Sequence, residues 1–157
     1  TGPGRPKLGV VAREVVDMLE PLSTGRRNAL RFELGEGVAE IEADPAKFRQ
    51  SLINLVSNAC KFTEDGEVSV KVEGVDEEWI GIAVSDTGIG IPADRIGTIF
   101  EPFVQGSQAI TDKYGGTGLG LALTHKFCGM MGGTLSVESE PGQGSVFRMK
   151  IPRKSAR

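Results

Sequence analysis

Histidine, tryptophan and tyrosine are scarce in this chain of 157 residues, which has one of each, and cysteine occurs only twice. A single histidine excludes a His-rich metal site. Cys60 and Cys128 lie in apolar helical patterns without metal-ligand spacing, so we expect two reduced thiols in the core of a cytosolic domain. No apolar run approaches the ~18 residues of a membrane-spanning helix, and no signal peptide opens the chain. We therefore expect a soluble chain, which is compatible with a piece cut from a larger protein.

Net charge and glycine content narrow the function classes further. The 18 Lys and Arg residues stand against 21 Asp and Glu, a net charge of −3, which argues against nucleic acid as a partner. Glycine, by contrast, is abundant, at 22 residues. Because glycines cluster where a backbone turns sharply or approaches a ligand, their positions point to candidate binding sites.

Hydrophobic periodicity predicts three helices and six strands. The helices are Val10–Leu19, broken at Pro21, then Asp44–Phe62 with an Asp-Pro start, and Leu119–Met131, capped by Gly132 and Gly133. The strands are Leu30–Leu34, Val38–Ile41, Glu67–Val72, Trp79–Ser85, Thr134–Ser139 and Ser145–Ile151. Strand pairs between helices predict an α+β two-layer sandwich spanning residues 8–152, with 1–7 as a linker and 153–157 as a tail.

The helix Asp44–Phe62 carries an unusual polar stripe opposite its apolar side. The stripe consists of Lys47, Gln50, Asn54, Asn58 and Lys61. A solvated face is the simplest interpretation, but asparagine is a poor helix former, so two of them one turn apart favour a function. Amide oxygens beside a lysine suit a hydrated Mg²⁺ and phosphate oxygens.

Asp86 ends a strand and is followed by two glycines, Gly88 and Gly90. Its carboxylate can accept a hydrogen bond from the exocyclic amine of adenine, although an Asp-initiated turn would explain the same residues. The segment from Gly88 to Ala93 also fits the dinucleotide pattern G-x-G-x-x-A, which we reject because no strand with a ribose-binding acid follows.

A second glycine cluster, 115–121, opens the last predicted helix. Unpaired backbone N–H groups at a helix start form an anion site, and a phosphate chain is its natural occupant; a hinge for the preceding segment is compatible with this. That preceding segment, from Asp94 to Gly116, exceeds the ~12–15 residues of an ordinary loop, so we predict an irregular, mobile lid. The chain contains no P-loop motif.

Four ordered segments together resemble the catalytic ATP-binding domain of sensor histidine kinases, in the GHKL superfamily with the Bergerat fold. They correspond to an Asn box (54–62), a first glycine box (86–90), a Phe box (100–103) and a second glycine box (116–121). The Phe box and the segment from Tyr114 to Thr117 are especially similar to hybrid kinases. The resemblance implies a mixed, mostly antiparallel sheet covered on one face by three helices.

The resemblance also implies a role for each matching residue. Asn58 would coordinate Mg²⁺, with Asn54 beside it on metal or phosphate, and Lys61 would neutralise phosphate charge; these three form the expected catalytic set. Asp86 would bind the adenine amine. The remaining expected ATP-binding residues are Phe62, Gly88, Gly90, Lys113, Tyr114, Gly116, Thr117, Gly118, Leu119, Gly120 and Leu121. The chain departs from hybrid kinases at Asp112, where those often carry arginine.

The resemblance implies transfer of the γ-phosphoryl group of Mg-ATP to a histidine outside this chain. Hydrolytic members of the superfamily place a glutamate general base where Asn54 stands, and an amide cannot accept that proton. His125 lacks the acceptor motif, and we expect it to be structural or surface. An ATPase switch, a non-catalytic nucleotide-binding module and a Ser/Thr kinase of the same fold are the alternatives.

The implied partners are a histidine-containing dimerisation and phosphoacceptor domain of the same parent and, downstream, a response-regulator receiver domain. The implied location is the cytoplasm, as a domain of a parent that can be anchored in the membrane.

Overall fold

The computed structural model describes residues 7–35, 45–96 and 120–152. Its helices are α1 (Leu8–Gly25), α2 (Pro45–Lys61), α3 (Ala93–Ile96) and α4 (Gly120–Met130). Its strands are β1 (Ala29–Leu34), β2 (Glu67–Gly74), β3 (Trp79–Asp86), β4 (Thr134–Glu140) and β5 (Gly144–Pro152). The predicted strand Val38–Ile41, the start of α2 at Asp44, most of the predicted lid and both chain ends lie outside the described residues.

The five described strands form one mixed sheet in the order β1-β2-β3-β5-β4. Only β1 and β2 pair in parallel, while the other three pairings are antiparallel. Alternate residues of β2 and β3 are buried, as expected for strands with one face against a core. The sheet confirms the predicted α+β class, and the predicted pairing of β2 with β3 and of β4 with β5.

The core lies between the sheet and the helices α1, α2 and α4. Its largest fully buried side chains are Phe48, Leu8, Leu52, Leu55, Ile80, Ile82 and Met149. The apolar side of α2 contributes three of these, so the predicted orientation of α2 is confirmed. Cys60 and Cys128 are free and fully buried, and burial raises the pKa of Cys128 to about 12.

The prediction that the first helix breaks at Pro21 is wrong. Helix α1 runs from Leu8 to Gly25 with Pro21 inside it. Proline in a helix forfeits one backbone hydrogen bond, at a cost of about 3 kcal/mol. Pro21 is exposed, so water can solvate the carbonyl that lost its donor. The end of the helix is held by local hydrogen bonds: buried Ser23 donates its hydroxyl to the carbonyl of Asn28 at 3.2 Å, and its own carbonyl accepts from the N–H of Asn28 at 3.0 Å.

The irregular segment predicted after Pro92 begins with a short helix, α3. Pro92 before the first turn and Asp94 within it are both typical of a helix start, because proline lacks an N–H and the acid complements the helix dipole. The end of α4 follows the prediction: Gly132 has a φ of +84°, and the N–H of Gly133 donates to the carbonyl of Cys128 at 2.8 Å. None of the helices in the described ranges is long and apolar enough to cross a membrane.

Candidate functional site

The polar stripe of α2 lies on the side of the helix away from the core. Asn54, Asn58 and Lys61 are each half-buried there. The side chains of Asn58 and Lys61 have no hydrogen bond or ion pair with any residue that the structure describes. With respect to the described residues, both groups therefore keep their capacity to contact a ligand: an amide oxygen and two N–H donors from Asn58, and an ammonium group from Lys61.

Asn54, by contrast, is committed to other residues of the chain. Its Nδ2 donates to the carbonyl of Gly120 at 3.2 Å and to the Thr124 hydroxyl at 3.1 Å, and its Oδ1 accepts from Gln50 at 3.0 Å. The fully buried Thr124 donates its own hydroxyl to the Gly120 carbonyl at 2.8 Å. The side chain thus ties the middle of α2 to the first turn of α4, where the predicted second glycine cluster ends.

Asp86 ends β3, half-buried beside the first glycine cluster. The N–H of Gly88 donates to its Oδ1 at 2.9 Å. Burial raises the pKa of Asp86, and hydrogen bonds from the backbone N–H groups of Gly88 and Ser145, together with the nearby Thr63 hydroxyl, oppose that rise. The site thus holds a carboxylate that has lost part of its hydration but retains accepting capacity.

The backbone after Asp86 is fixed from two sides. On one side the N–H of Ile89 donates to the carbonyl of Phe62, at the end of α2, at 3.2 Å. On the other side the Ile89 carbonyl accepts from Gly142 at 2.7 Å, and the N–H of Ile91 donates to the Ser139 hydroxyl at 2.7 Å. The segment that contains Gly88 and Gly90 therefore lies between the end of α2 and the β4–β5 turn, and it is hydrogen-bonded to both.

Asn28, a buried residue that precedes β1, holds the turn after α2 in place through its side chain. Its Nδ2 donates to the carbonyls of Cys60 at 3.2 Å and Thr63 at 2.9 Å, and its Oδ1 accepts from the N–H of Gly66 at 3.0 Å. Arg26 adds a hydrogen bond to the Thr63 carbonyl at 3.1 Å. These bonds set the direction in which the chain leaves α2.

Helix α2 consequently links residues 86–91, which we call the Asp86 segment, to the start of α4. Asn54 contacts α4, and Phe62 contacts the Asp86 segment. Eight residues of helix separate these two points, an axial rise of about 12 Å. Asn58 and Lys61 lie on this stretch of α2, between its contact with α4 and its contact with the chain that follows Asp86.

Not all of the predicted site residues can be placed. Lys113, Tyr114, Gly116, Thr117, Gly118 and Leu119 lie outside the described residues. Gly120 and Leu121 form the first turn of α4. The predicted contacts of the lid residues thus stay predictions.

His125 is exposed on α4, in agreement with the surface position that we expected. The described residues contain no group of three or more His, Cys, Asp and Glu that could hold a metal. A metal bound along α2 would therefore take amide oxygens, water and the ligand's own oxygens.

The sequence reasoning missed several polar residues that build this surface. They are Asn28, Thr63, Thr124, Ser139 and Ser145. Only Asn28 and Thr124 had a sequence signal: a polar residue directly before a strand, and a threonine one turn into a helix among apolar residues. That signal is weak, because both patterns are common in proteins without a site.

Substituting Gly88 by alanine is expected to lower the free energy of unfolding by about 2–3 kcal/mol, the usual cost of overpacking. A Cβ there would overlap the Phe62 carbonyl oxygen and lie 2.7 Å from the Thr63 hydroxyl. Since Phe62 holds Ile89 by a backbone hydrogen bond, relief of the overlap would separate the two segments. Urea denaturation of the variant measures the loss.

Gly129→Ala is the matched control, since a Cβ at this exposed helical position meets no atom within 4 Å. That substitution is expected to raise the free energy of unfolding by about 0.5–1 kcal/mol. A Gly88→Ala variant as stable as the wild-type chain would contradict the tight packing described here.

Known proteins resemble this chain in both sequence and structure. The family described as "Histidine kinase-, DNA gyrase B-, and HSP90-like ATPase" matches residues 43–155. The sensor histidine kinase AruS of Pseudomonas aeruginosa is 44% identical over 145 residues, which cover 88% of this chain and 14% of that protein.

Two solved structures share the fold. The full-length ShkA structure in complex with AMPPNP superposes with a TM-score of 0.84 at 31% identity, covering 98% of this chain and 31% of that one. The catalytic domain of the histidine kinase ThkA in a nucleotide-free form gives a TM-score of 0.78 at 31% identity, covering 94% of this chain and 93% of that one.

This chain spans about one seventh of the length of AruS, whereas it spans nearly all of the isolated ThkA catalytic domain. The matched family region takes in α2, the Asp86 segment and α4. The chain therefore belongs to the family of histidine kinase-, DNA gyrase B- and HSP90-like ATPases, as a catalytic domain of the sensor histidine kinase type.

Proposed function

We propose that this chain binds Mg-ATP along α2 and transfers the γ-phosphoryl group to a histidine on a separate dimerisation and phosphoacceptor domain of the same parent protein. The observation that carries the proposal is the position of α2, which contacts the Asp86 segment at one end and the start of α4 in its middle. Those contacts bracket the length over which a base, a ribose and a phosphate chain would lie.

The residues present fit a nucleotide-bound magnesium ion. Mg²⁺ is held in proteins by one or two oxygen ligands together with waters and substrate phosphates. The Asn58 amide, which has no partner among the described residues, would supply the oxygen, and the Lys61 ammonium would offset phosphate charge. Bound there, the ion would neutralise charge that develops on the transferring phosphoryl group.

The same geometry favours transfer over hydrolysis. Activation of water needs a general base. Asn54 carries an amide, which cannot accept the proton, and its N–H groups donate to Gly120 and Thr124. A neutral imidazole brought by the partner can attack phosphorus directly through its nitrogen lone pair. The chain's contribution to the reaction is then positioning and charge neutralisation.

At the other end of α2, Asp86 would accept a hydrogen bond from the adenine amine, and Gly88 and Gly90 would leave room for the flat ring. Phe62 would pack near the base or ribose. Lys113, Tyr114 and the second glycine cluster, which lie outside the described residues, would close on the phosphates.

The wider setting is proposed from the relatives and from the net charge. A response-regulator receiver domain would take the phosphoryl group from the phosphoacceptor histidine, and the net charge of −3 argues against nucleic acid as a main partner. We place the domain in the cytoplasm, where ATP is found, and keep residues 8–152 as its bounds.

The proposal is tested by mixing the chain with the phosphoacceptor domain of its parent, Mg²⁺ and γ-labelled ATP. We expect label on the acceptor domain that survives base and is lost in acid, as a phosphohistidine is, and no label when the acceptor histidine is replaced. Steady release of phosphate by the chain alone would indicate an ATPase. An acid-stable product would indicate transfer to serine or threonine, and either result contradicts the proposal.

A further inference from the structure

The first residue of α4 is hydrogen-bonded by side chains of two helices. The backbone carbonyl of Gly120 accepts from the Thr124 hydroxyl at 2.8 Å, one turn further along α4, and from the Asn54 Nδ2 at 3.2 Å, in the middle of α2. The same Nδ2 also donates to the Thr124 hydroxyl at 3.1 Å. These three groups form a closed set of hydrogen bonds between the helices, which we call the α2–α4 cluster.

The chemistry of the acceptors fixes the orientation of the Asn54 amide. A carbonyl oxygen can only accept, so the NH₂ group of the amide has to face Gly120. Because Thr124 gives its own proton to that carbonyl, its hydroxyl oxygen offers only lone pairs to Asn54. The amide oxygen is turned the other way, where it accepts from Gln50 at 3.0 Å. The N–H groups of Asn54 are thus used inside the protein, where they hold α4.

The bond from Asn54 is more than Thr124 needs in order to be buried. Ser51 is also fully buried, and its hydroxyl donates to the Lys47 carbonyl, one turn back in α2, at 2.7 Å. That single bond satisfies a buried hydroxyl within its own helix. Thr124 makes the equivalent bond to Gly120 and in addition accepts one from another helix. The additional bond joins two elements, which indicates a role between them.

The cluster lies at the end of α4 that most needs support. The first four N–H groups of a helix have no partner inside it, and helix ends fray. Apolar packing holds α4 further along, at the fully buried Cys128, but apolar contacts are not directional. Hydrogen bonds are directional. The cluster therefore fixes the first turn of α4 beside the part of α2 that carries Asn54 and, one turn later, Asn58.

We propose that Thr124 and Asn54 are positioning residues, which hold the first turn of α4 against α2 so that both helices contact the phosphates of one nucleotide. The inference rests on the proposed function, since it concerns the same nucleotide. It gives the Asn54 amide a role exerted through α4, in place of the metal contact that its residue type and spacing suggest. The Gly120 carbonyl belongs to the backbone, so Asn54 and Thr124 are the positions at which substitution tests the cluster.

Thr124→Val removes the hydroxyl and keeps the shape of the side chain, which leaves Asn54 with one bond to α4. The affinity for MgADP should fall about tenfold, the equivalent of one ordinary hydrogen bond. Thr124→Ser, which retains the hydroxyl, should bind MgADP nearly as well as the wild-type chain. Ser51→Ala is the matched control, because it removes a buried hydroxyl whose one hydrogen bond within the described residues stays inside its own helix. Its MgADP affinity should not change.

A general loosening of the fold and the loss of a metal ligand each predict a different pattern. Loosening would lower the melting temperature and weaken adenosine and MgADP alike, whereas the positioning role leaves the affinity for adenosine, which has no phosphate, unchanged. Loss of a metal ligand would abolish the gain in ADP affinity that Mg²⁺ provides, whereas Asn54→Ala should keep that gain within about twofold of wild type. Thr124→Val should not weaken Asn54→Ala further, since alanine already removes both bonds to α4.

Isothermal titration with MgADP, with ADP in EDTA and with adenosine gives these affinities, and hydrogen exchange of the α4 amides reports on its first turn without a ligand. We expect exchange at the start of α4 to be about tenfold faster in Thr124→Val and unchanged in Ser51→Ala. Wild-type MgADP affinity in Thr124→Val, an equal loss for adenosine, or loss of the Mg²⁺ gain in Asn54→Ala would overturn the inference and leave the proposed function standing. No MgADP binding by the wild-type chain would overturn the proposed function itself, and the inference with it.

Discussion

Substituting Asn58 by alanine is expected to remove the dependence of nucleotide affinity on Mg²⁺ while the fold stays intact. The side chain is half-buried and has no hydrogen-bond partner among the described residues, so its removal breaks no hydrogen bond within them. The loss of one contact to a charged group is worth about 1.5–3 kcal/mol, which corresponds to a fall in MgADP affinity of about 10- to 150-fold. Titration with ADP in the presence of Mg²⁺, and again in the presence of EDTA, measures the affinity for the nucleotide and its dependence on the metal.

The nature of the contact is resolved by a second substitution. Asn58→Asp keeps an oxygen at the same position but no N–H, so it should preserve part of the magnesium dependence if the side chain is a metal ligand. Ser57→Ala is the control, because within the described residues the Ser57 hydroxyl makes a single hydrogen bond, which it donates to the Asn54 carbonyl of the same helix at 3.3 Å. Unchanged MgADP affinity in Asn58→Ala would show that the metal assignment is wrong.

Substituting Asp86 by asparagine is expected to remove most of the preference for adenine over guanine. The carboxylate accepts from the N–H groups of Gly88 and Ser145 and would accept from the adenine amine as well. Whichever way the new amide is oriented, its NH₂ group faces one of these donors. We expect a fall in MgADP affinity of about 10- to 100-fold, measured by titration beside MgGDP, for which the affinity should change little.

The free energy of unfolding of Asp86→Asn should increase although its affinity for MgADP falls. Burial raises the pKa of Asp86, so its charged form is disfavoured in the folded state, and a neutral amide removes that cost. A fall in the melting temperature large enough to account for the lost affinity would contradict a direct contact with the base.

The raised pKa of Asp86 also sets the sign of a pH effect. Because the folded chain holds this proton more tightly than the unfolded chain, the contribution of Asp86 to stability decreases as the pH rises from the unfolded pKa through the folded one. Adenine binding has the opposite trend: it needs the ionised carboxylate and weakens as the pH falls through the same range. Comparison with Asp86→Asn, which cannot titrate, separates this effect from the titration of the nucleotide phosphates.

Much of the fold follows from local patterns in the sequence. Helix α2 combines a proline start with an apolar face, and both are properties of neighbouring residues. Strands β2 and β3 alternate between buried and partly exposed positions, and the pattern of their residues predicts this. Pro21 shows the limit of such signals, because α1 continues past this proline to Gly25.

The candidate site is less predictable, because its geometry depends on contacts between distant segments. The sequence suggests that Asn54 touches metal or phosphate, yet its amide hydrogen-bonds residues 66 and 70 positions away. Nothing near Thr63 in the sequence indicates that its side chain is buried, since that state arises from the packing of Arg26, Asn28 and Gly88 around it. Asn58 and Asp86, by contrast, are predicted from residue type and spacing alone, and their roles stay predictions.

Calorimetric titration of the chain with ADP, run with and without Mg²⁺ and beside GDP, tests most directly whether α2, the Asp86 segment and the start of α4 form one nucleotide site. We expect ADP to bind at a single site, Mg²⁺ to tighten that binding, and GDP to bind at least about tenfold more weakly, the value of one misplaced hydrogen bond. Equal affinities for ADP and GDP, or no binding of either in the presence of Mg²⁺, would contradict a site built on Asp86 and Asn58.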